Sequence, residues 1–218
     1  MINLILIRHG QSQWNLENRF TGWYDAELTK QGIEEAKKAG ILIKELGINF
    51  NYGFTSFQTR AIKTFETILE SSEIKIPHVT KAWQLNERHY GGLQGLNKEE
   101  TANKHGKEQV MIWRRSYDIP PPPQDRNDPA HPVNSQIYKN IDPKLIPDSE
   151  SLKDTFNRTV PYYQKNIEPL LRKSENILIS AHGNSLRALC KKIFVISDEM
   201  IVKLEIPTGN PIQIQFDN

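Results

Sequence analysis

The sequence predicts an α/β protein of three layers, in which helices cover both faces of a mostly parallel sheet. Two short runs rich in Ile and Leu, residues 2–7 and 176–180, are typical of strands buried on both faces. A histidine follows each run closely, His9 after the first and His182 after the second. Because ligands of open α/β sheets bind outside the carboxyl ends of the strands, we expect both histidines on the same side of the molecule.

The composition is that of an ordinary globular domain. The chain has 218 residues, of which 37% are hydrophobic and 25% charged, and we expect residues 1–218 to form a single domain. A net charge of +2 argues against a nucleic-acid partner. No signal-peptide pattern is visible and no stretch approaches the roughly 18 apolar residues of a membrane span, so a cytoplasmic protein is expected.

The first half of the chain alternates helices and strands. Thr29 can cap a helix that runs to about Leu46, and Gly47 is a suitable stop. The elements predicted after it are a strand at 52–55, a helix at 58–70, a strand at 78–82, and two short helices at 98–104 and 107–117.

The second half contains a proline-rich insertion. Eight of the thirteen prolines lie within residues 118–148, so this segment cannot be a regular helix or a central strand. We interpret it as a long loop that is either a lid or wall of a site or a passive surface excursion. The elements predicted after it are a helix at 149–172 kinked by Pro161 and Pro169, a helix capped by Asn184 or Ser185 and ending near Lys192, a short helix at 198–203 and an edge strand at 212–216.

The residues around His9 indicate phosphoryl chemistry. A neutral imidazole can attack phosphorus and carry the phosphoryl group, and its ordinary pKa of about 6.5 leaves much of it neutral. Arg8 offers paired donors to phosphate oxygens, and Gly10 permits close approach of an anion. Arg60 falls in the first turn of its helix, an unfavourable place for a cation unless it serves an anion held there; a solvated surface arginine is the alternative.

Four stretches resemble a known family. Arg8-His9-Gly10 together with His182-Gly183 resembles the histidine phosphatase superfamily. The longer stretches 8–23, 85–98, 113–115 and 181–189 resemble the bisphosphoglycerate-dependent phosphoglycerate mutases, in order and over almost the whole chain. The resemblance implies a phosphoglycerate mutase-like fold.

The resemblance also implies the site residues. It implies that His9 is the nucleophile, that Glu87 is the acid–base group and that a protonated His182 stabilises the transferring group. The implied catalytic set is His9, Glu87, His182, Arg8 and Arg60. The implied substrate contacts are Arg8, Asn15, Thr21, Gly22, Arg60, Glu87, Arg88, His89, Tyr90, Lys98, Arg114, Arg115, Gly183 and Asn184.

The implied reaction is the interconversion of 3-phosphoglycerate and 2-phosphoglycerate, primed by transfer of a phosphoryl group from 2,3-bisphosphoglycerate to His9. Small phosphoglycerates are then the partners, and relatives are often homodimers or homotetramers. No metal is expected, because the six histidines form no short zinc-type cluster. The absence of a P-loop and of G-x-G-x-x-G argues against a nucleotide.

Two departures and two alternatives accompany the resemblance. Gln11 stands where the family usually has Glu, and the sequence ends soon after Phe216, where many relatives carry a longer tail. The enzyme alternative is a histidine phosphatase acting on another phosphomonoester. The non-catalytic alternative is a phospho-ligand-binding pseudoenzyme. The cations Lys98, Arg114 and Arg115 favour the mutase, whose ligands carry a second anionic group.

Overall fold

A five-stranded sheet lies at the centre of the computed structural model, which describes residues 1–217. The strands are β1 (Ile2–Arg8), β2 (Tyr52–Thr55), β3 (His78–Lys81), β4 (Ile177–Ala181) and β5 (Pro211–Phe216), in the spatial order β3-β2-β4-β1-β5. β1 to β4 run parallel, and β5 is an antiparallel edge strand against β1. The predicted mostly parallel sheet is confirmed.

Helices cover both faces of this sheet. The helices are α1 (Gln13–Leu16), α2 (Lys30–Glu45), α3 (Thr59–Ser72), α4 (Lys98–His105), α5 (Lys107–Arg115), α6 (Leu152–Asn166), α7 (Glu168–Leu171), α8 (Gly183–Phe194) and α9 (Asp198–Ile201). Within residues 1–217 none of them is both long enough and apolar enough to cross a membrane.

The side chains of β1 alternate between two hydrophobic cores. Ile5 and Ile7 belong to the core that includes residues of α2 and α3. Leu4 and Leu6 belong to the core on the other face, with residues of α6 and α8. Since side chains of a strand alternate between its faces, one apolar strand serves both cores, and the three predicted layers are confirmed.

Side-chain caps start the first two helices after β1. Thr29 caps α2 as expected, its side chain accepting a hydrogen bond from the backbone of Gly32. The segment between His9 and α2 contains α1, in which Ser12 and Asn15 form a reciprocal capping box. Four residues carry too weak a periodic signal to be found by pattern alone.

The predicted helix at 149–172 is two helices. α6 begins at Leu152 because Ser151 caps it in a box with Asp154, and it continues through Pro161. Pro169 is the second residue of α7, after a break at Ile167. A proline cannot donate the helical N–H bond but is accepted in a first turn, so Pro169 marks a new helix rather than a kink.

The cap of α8 also differs from the prediction. The cap residue is His182 itself, with its backbone N–H donating to Ser185 Oγ, rather than Asn184 or Ser185. The helix therefore starts directly after β4.

The proline-rich segment packs against the body of the protein. Tyr138 and Ile146 form a hydrophobic cluster with Trp23, and the Tyr138 ring lies 4.9 Å from that of Trp23. The carbonyl of Pro122 accepts a hydrogen bond from Gly92, which follows the Glu87 loop. The segment therefore packs against Trp23 and against the backbone that follows Glu87.

Candidate active site

The two histidines lie side by side at the carboxyl ends of neighbouring strands. Arg8 at the end of β1 is in register with Ala181 at the end of β4, and the His9 backbone N–H donates to the Ala181 carbonyl over 3.0 Å. The His9 and His182 ring centroids are 5.0 Å apart. The expectation that both histidines meet on one side is confirmed, since parallel neighbouring strands end at the same edge.

His9 is held in one tautomer. Its Nδ1 lies 2.7 Å from the carbonyl oxygen of Gly10, which can only accept, so Nδ1 carries the proton and Nε2 the lone pair. The ring is buried, and burial, assisted by the cations Arg60 and Arg8, holds the pKa of His9 well below its ordinary value. A neutral imidazole with Nε2 unprotonated is the form that can attack phosphorus.

Arg60 lies beneath this nitrogen at the start of α3. Its Nε is 3.4 Å from His9 Nε2, and its terminal nitrogens donate to the carbonyls of Gly22 and Tyr24. Burial lowers the pKa of Arg60 to about 10, so it stays charged at neutral pH. The anion at the helix start is the chain's own Asp25, which accepts from the Thr59 backbone and hydroxyl.

Glu87 faces the same space from the loop after β3. Its Oε1 accepts hydrogen bonds from the Arg88 backbone and from both the backbone and side-chain amides of Asn184. Burial alone would raise the pKa of Glu87, but these hydrogen bonds, with Arg8 and Arg60, lower it below its ordinary value. Glu87 is therefore an ionised carboxylate in the free protein.

His182 is neutral in the free protein. Its Nε2 lies 2.7 Å from Ser56 Oγ, and its buried Nδ1 has no hydrogen-bond partner among residues 1–217. Burial and the nearby Arg60 and His9 hold the pKa of His182 well below its ordinary value. The ring is therefore neutral in the free protein, chiefly because it is buried, and protonation of His182 during phosphoryl transfer stays a prediction.

These groups open into a cavity of about 130 Å³. It is lined by Arg8, His9, Asn15, Arg19, Phe20, Thr21, Gly22, Arg60, Glu87, Tyr90, Lys98, Arg114, Arg115, Gly183, Asn184, Arg187 and Glu205. Seven of these side chains are cations and two are carboxylates. Buried Arg8 Nε and Thr21 Oγ1 also have no hydrogen-bond partner within residues 1–217. Such a surplus of positive charge and unused donors suits a small polyanion.

Most predicted site residues reach this cavity. Those that line it are Arg8, His9, Asn15, Thr21, Gly22, Arg60, Glu87, Tyr90, Lys98, Arg114, Arg115, Gly183 and Asn184. His182 lies beside His9 without appearing on the cavity wall. The adjacent Arg114 and Arg115 can both reach the cavity because α5 ends at Arg115.

Two predicted substrate contacts lie elsewhere. Arg88 is buried, lies over the Tyr90 ring at 4.4 Å and donates to the carbonyls of Trp113 and Arg114. His89 packs against Trp23, and its Nδ1 accepts from Gly91. Of residues 87–90, Glu87 and Tyr90 face the cavity, whereas Arg88 and His89 are held by other parts of the protein.

Three charged lining residues were not singled out from the sequence. Arg19 and Arg187 lie inside the stretches that carry the resemblance, and Glu205 precedes Ile206 near the end of the chain. Arg187 is three residues after Asn184 on α8, a spacing that places both on one helix face. The sequence could therefore have indicated Arg187 as a site residue. Glu205 carried no such signal.

Two interpretations near His9 change. A Cβ added to Gly10 would overlap the carbonyl of Gly32, so this glycine allows close packing of β1 on α2 rather than approach of an anion. Gln11 accepts from Thr29 Oγ1 through its amide oxygen and does not line the cavity. The missing charge at Gln11 therefore does not act on a ligand by direct contact.

No group of three or more His, Cys, Asp or Glu side chains within residues 1–217 is arranged to hold a metal ion. The cavity offers cations to a ligand, and its two carboxylates, Glu87 and Glu205, are each bonded to donors of the protein.

Comparison with known proteins assigns the family. The histidine phosphatase superfamily (branch 1) matches residues 4–133. A 2,3-bisphosphoglycerate-dependent phosphoglycerate mutase of Erythrobacter litoralis is 57% identical over 100% of this chain and 94% of its own. The chain belongs to the 2,3-bisphosphoglycerate-dependent phosphoglycerate mutase family. A second member of this mutase family, mutase 2 of Lactiplantibacillus plantarum, is 54% identical with the same coverage of both chains.

Solved structures agree on the fold of this mutase-family chain. A protein described as mycobacterial hydrolase 1 superposes with a TM-score of 0.74 at 20% identity, covering 98% of this chain and 88% of its own. A mycobacterial glucosyl-3-phosphoglycerate phosphatase complexed with VO3 has a TM-score of 0.74 at 19% identity, covering 99% and 91%. The phosphoglycerate mutase-like architecture predicted from the sequence is thereby confirmed.

Proposed function

We infer that this member of the mutase family interconverts 3-phosphoglycerate and 2-phosphoglycerate through a phosphohistidine at His9. The observation that carries the inference is the His9 ring, fixed by Gly10 with its Nε2 lone pair beside the Arg60 guanidinium, in a cavity lined by seven cations. A neutral nucleophile among fixed cations is what transfer of a phosphoryl group requires.

The residues present fit 2,3-bisphosphoglycerate as the priming ligand. Thr21 Oγ1 and Arg8 Nε are buried donors without a partner within residues 1–217, suited to the oxygens of one phosphate near His9. Lys98, Arg114 and Arg115 would hold the other anionic groups. When bound, 2,3-bisphosphoglycerate supplies the phosphoryl group that primes His9.

The cations stabilise charge as the phosphoryl group moves. Arg8 and Arg60 are held by backbone carbonyls, Arg8 by Ile206 and Arg60 by Gly22 and Tyr24, so they need no reorganisation when negative charge shifts to the equatorial oxygens. The low pKa of His182 rises once a phosphate dianion lies nearby, because an adjacent negative charge favours the imidazolium. His182 can then donate to the transferring group.

Glu87 moves the substrate hydroxyl proton. Ionised in the free protein, it can accept the proton as the hydroxyl attacks the phosphohistidine and return it in the reverse step. Within residues 1–217 the hydrogen bonds to the Glu87 carboxylate all use Oε1, which leaves Oε2 for the substrate.

Further parts of the proposal concern the whole protein. We propose that residues 1–218 act as one catalytic domain, without a metal ion, in the cytoplasm and as a homodimer or homotetramer. Sedimentation of the purified protein would test the last of these.

The first test follows conversion of 3-phosphoglycerate to 2-phosphoglycerate by phosphorus NMR in the presence of EDTA. Trace 2,3-bisphosphoglycerate should accelerate the reaction, and His9→Ala should slow it by more than about a thousandfold because the nucleophile is gone. His105→Ala is the matched control, since His105 is exposed and lies outside the cavity. Release of phosphate from other esters without conversion of 3-phosphoglycerate would contradict the mutase and favour the phosphatase alternative.

A further inference from the structure

Three consecutive residues near the end of the chain bond three arginines of the cavity. The Leu204 carbonyl accepts from Arg187 Nε over 2.7 Å, and the Ile206 carbonyl accepts from Arg8 Nη1 over 2.7 Å. Ile206 is buried, which anchors the segment in the core. Glu205, between them, is thereby held at the cavity wall.

The Glu205 carboxylate interacts with two cations that face the cavity, Arg115 and Arg187. Its Oε1 accepts from Arg115 Nη2 over 2.6 Å, and its Oε2 lies 3.5 Å from Arg187 Nη2. Arg187 is held further by Asn184 Oδ1, beside the Glu87 carboxylate. A carboxylate of the chain thus sits where the carboxylate or second phosphate of a ligand would find its cations.

The ion pair between Glu205 and Arg115 can be broken at little cost in free energy, but the Glu205 carboxylate remains at the cavity wall. The Glu205 side chain is 67% exposed, and exposed pairs contribute little stability. The flanking carbonyls remain bonded to Arg8 and Arg187, so the carboxylate stays near any bound anion and repels it. Coulomb repulsion grows with the charge of the ligand, so a bisphosphate feels it more than a monophosphate.

We propose that Glu205 is a specificity-determining residue that competes with ligand anions for Arg115 and Arg187. It weakens binding of bisphosphorylated ligands more than binding of monophosphorylated ones, and so limits retention of the priming ligand in the cavity. Its part in priming rests on the proposed function; its competition with anions does not. A residue that merely oriented Arg115 would have the opposite effect, since its loss would weaken binding.

The test variant is Glu205→Gln, which removes the charge and keeps an oxygen that can accept from Arg115. Calorimetry should show the Kd of 3-phosphoglycerate falling about threefold and that of 2,3-bisphosphoglycerate about tenfold at low salt. Both gains should shrink in about 1 M salt, where the Debye length is about 3 Å. In turnover, the KM for 3-phosphoglycerate should fall together with its Kd, while kcat does not rise.

Glu199→Gln is the matched control. Glu199 is an exposed glutamate of α9 that does not line the cavity, so its loss changes the net charge equally. An equal gain in Glu199→Gln, or unchanged or weaker binding in Glu205→Gln, would overturn the proposal.

The binding measurement separates this inference from the proposed function. Wild-type protein that binds phosphoglycerates without converting them would contradict the mutase activity, and the binding constants would still decide the role of Glu205. If the wild type bound no phosphoglycerate, orthophosphate and pyrophosphate would supply the same contrast in charge. Glu205→Gln should then lower the Kd of pyrophosphate by a larger factor than the Kd of orthophosphate. Equal factors would contradict the proposed competition.

Discussion

At the scale of single residues, the site depends on how neighbours set charge and tautomer. His9 is neutral because its ring is buried beside cations, and its Nε2 carries the lone pair because the Gly10 carbonyl accepts the proton of Nδ1. Arg88, adjacent to Glu87, acts differently: its guanidinium binds the last carbonyls of α5, whose arginines face the cavity. Arg88 therefore supports the cavity without touching it.

The titration of His9 tests this account. Since its pKa lies well below 6.5, the ring should stay neutral, with the proton on Nδ1, from pH 7.5 down to about 5.5. Nitrogen NMR of the labelled rings, assigned with His9→Gln, measures both properties. The urea-unfolded chain is the control and should titrate near 6.5. A folded-state His9 that protonates near 6.5 would contradict the proposed electrostatics.

At the scale of elements, close packing of β1 on α2 brings His9 to its place. The backbones meet at Gly10 and Gly32: a Cβ on Gly10 would overlap the Gly32 carbonyl, and one on Gly32 would overlap the Gln11 carbonyl. Gly10 N–H also donates to Thr64 of α3, so both helices of this face contact the strand end. The position of His9 thus depends on a contact between two glycines.

Gly32→Ala should separate β1 from α2. We expect a loss of about 1–3 kcal/mol in the free energy of unfolding, as for an overpacked core, and a fall in kcat because His9 moves with the strand end. Urea unfolding and initial rates measure the two effects.

Gly47→Ala is the control for Gly32→Ala. An added Cβ there meets nothing within 4 Å, but φ is +63°. It should lower stability by about 1 kcal/mol through backbone strain and leave kcat unchanged. A Gly32→Ala variant of full stability and activity would show that the contact is not required.

At the scale of the whole molecule, the protein buries several histidines that would be protonated in acid if they were exposed. His9, His89 and His182 are all buried, and burial lowers the pKa of each, that of His89 to about 3. The unfolded chain binds a proton at each of these rings below about pH 6.5, whereas the folded chain does not. Their contribution to stability is therefore complete above pH 6.5 and is lost as the pH falls.

Acid should accordingly destabilise the protein well above the range in which carboxylates titrate. At pH 5.5, one unit below 6.5, protonation of each of the three rings in the unfolded chain should lower the free energy of unfolding by about 1.4 kcal/mol. Urea midpoints at pH 7.5 and 5.5 measure the loss. His89→Gln, outside the cavity, should remove the contribution of His89, about 1.4 kcal/mol of the loss at pH 5.5, and equal midpoints at both pH values would contradict this linkage.

Much of the fold and the centre of the site could be predicted because they rest on local patterns. The apolar runs before His9 and His182 predicted parallel strands, and strand ends predicted that the histidines meet. The break of the helix at Ile167 and the short α1 depend on caps and contacts that a periodic pattern does not contain. The directions of Arg88 and His89 depend on which neighbours pack around them.

The sequence by itself determined the α/β class and the meeting of His9 and His182 at neighbouring strand ends, because residue type and strand pattern are properties of short stretches. Only the tertiary structure decided that His182 is neutral in the free protein, that Tyr138 and Ile146 of the proline-rich segment pack against Trp23 and that Glu205 reaches Arg115 and Arg187. Those facts depend on burial and on distances between segments far apart in the chain. Burial and distance between such segments exist only once the chain has folded.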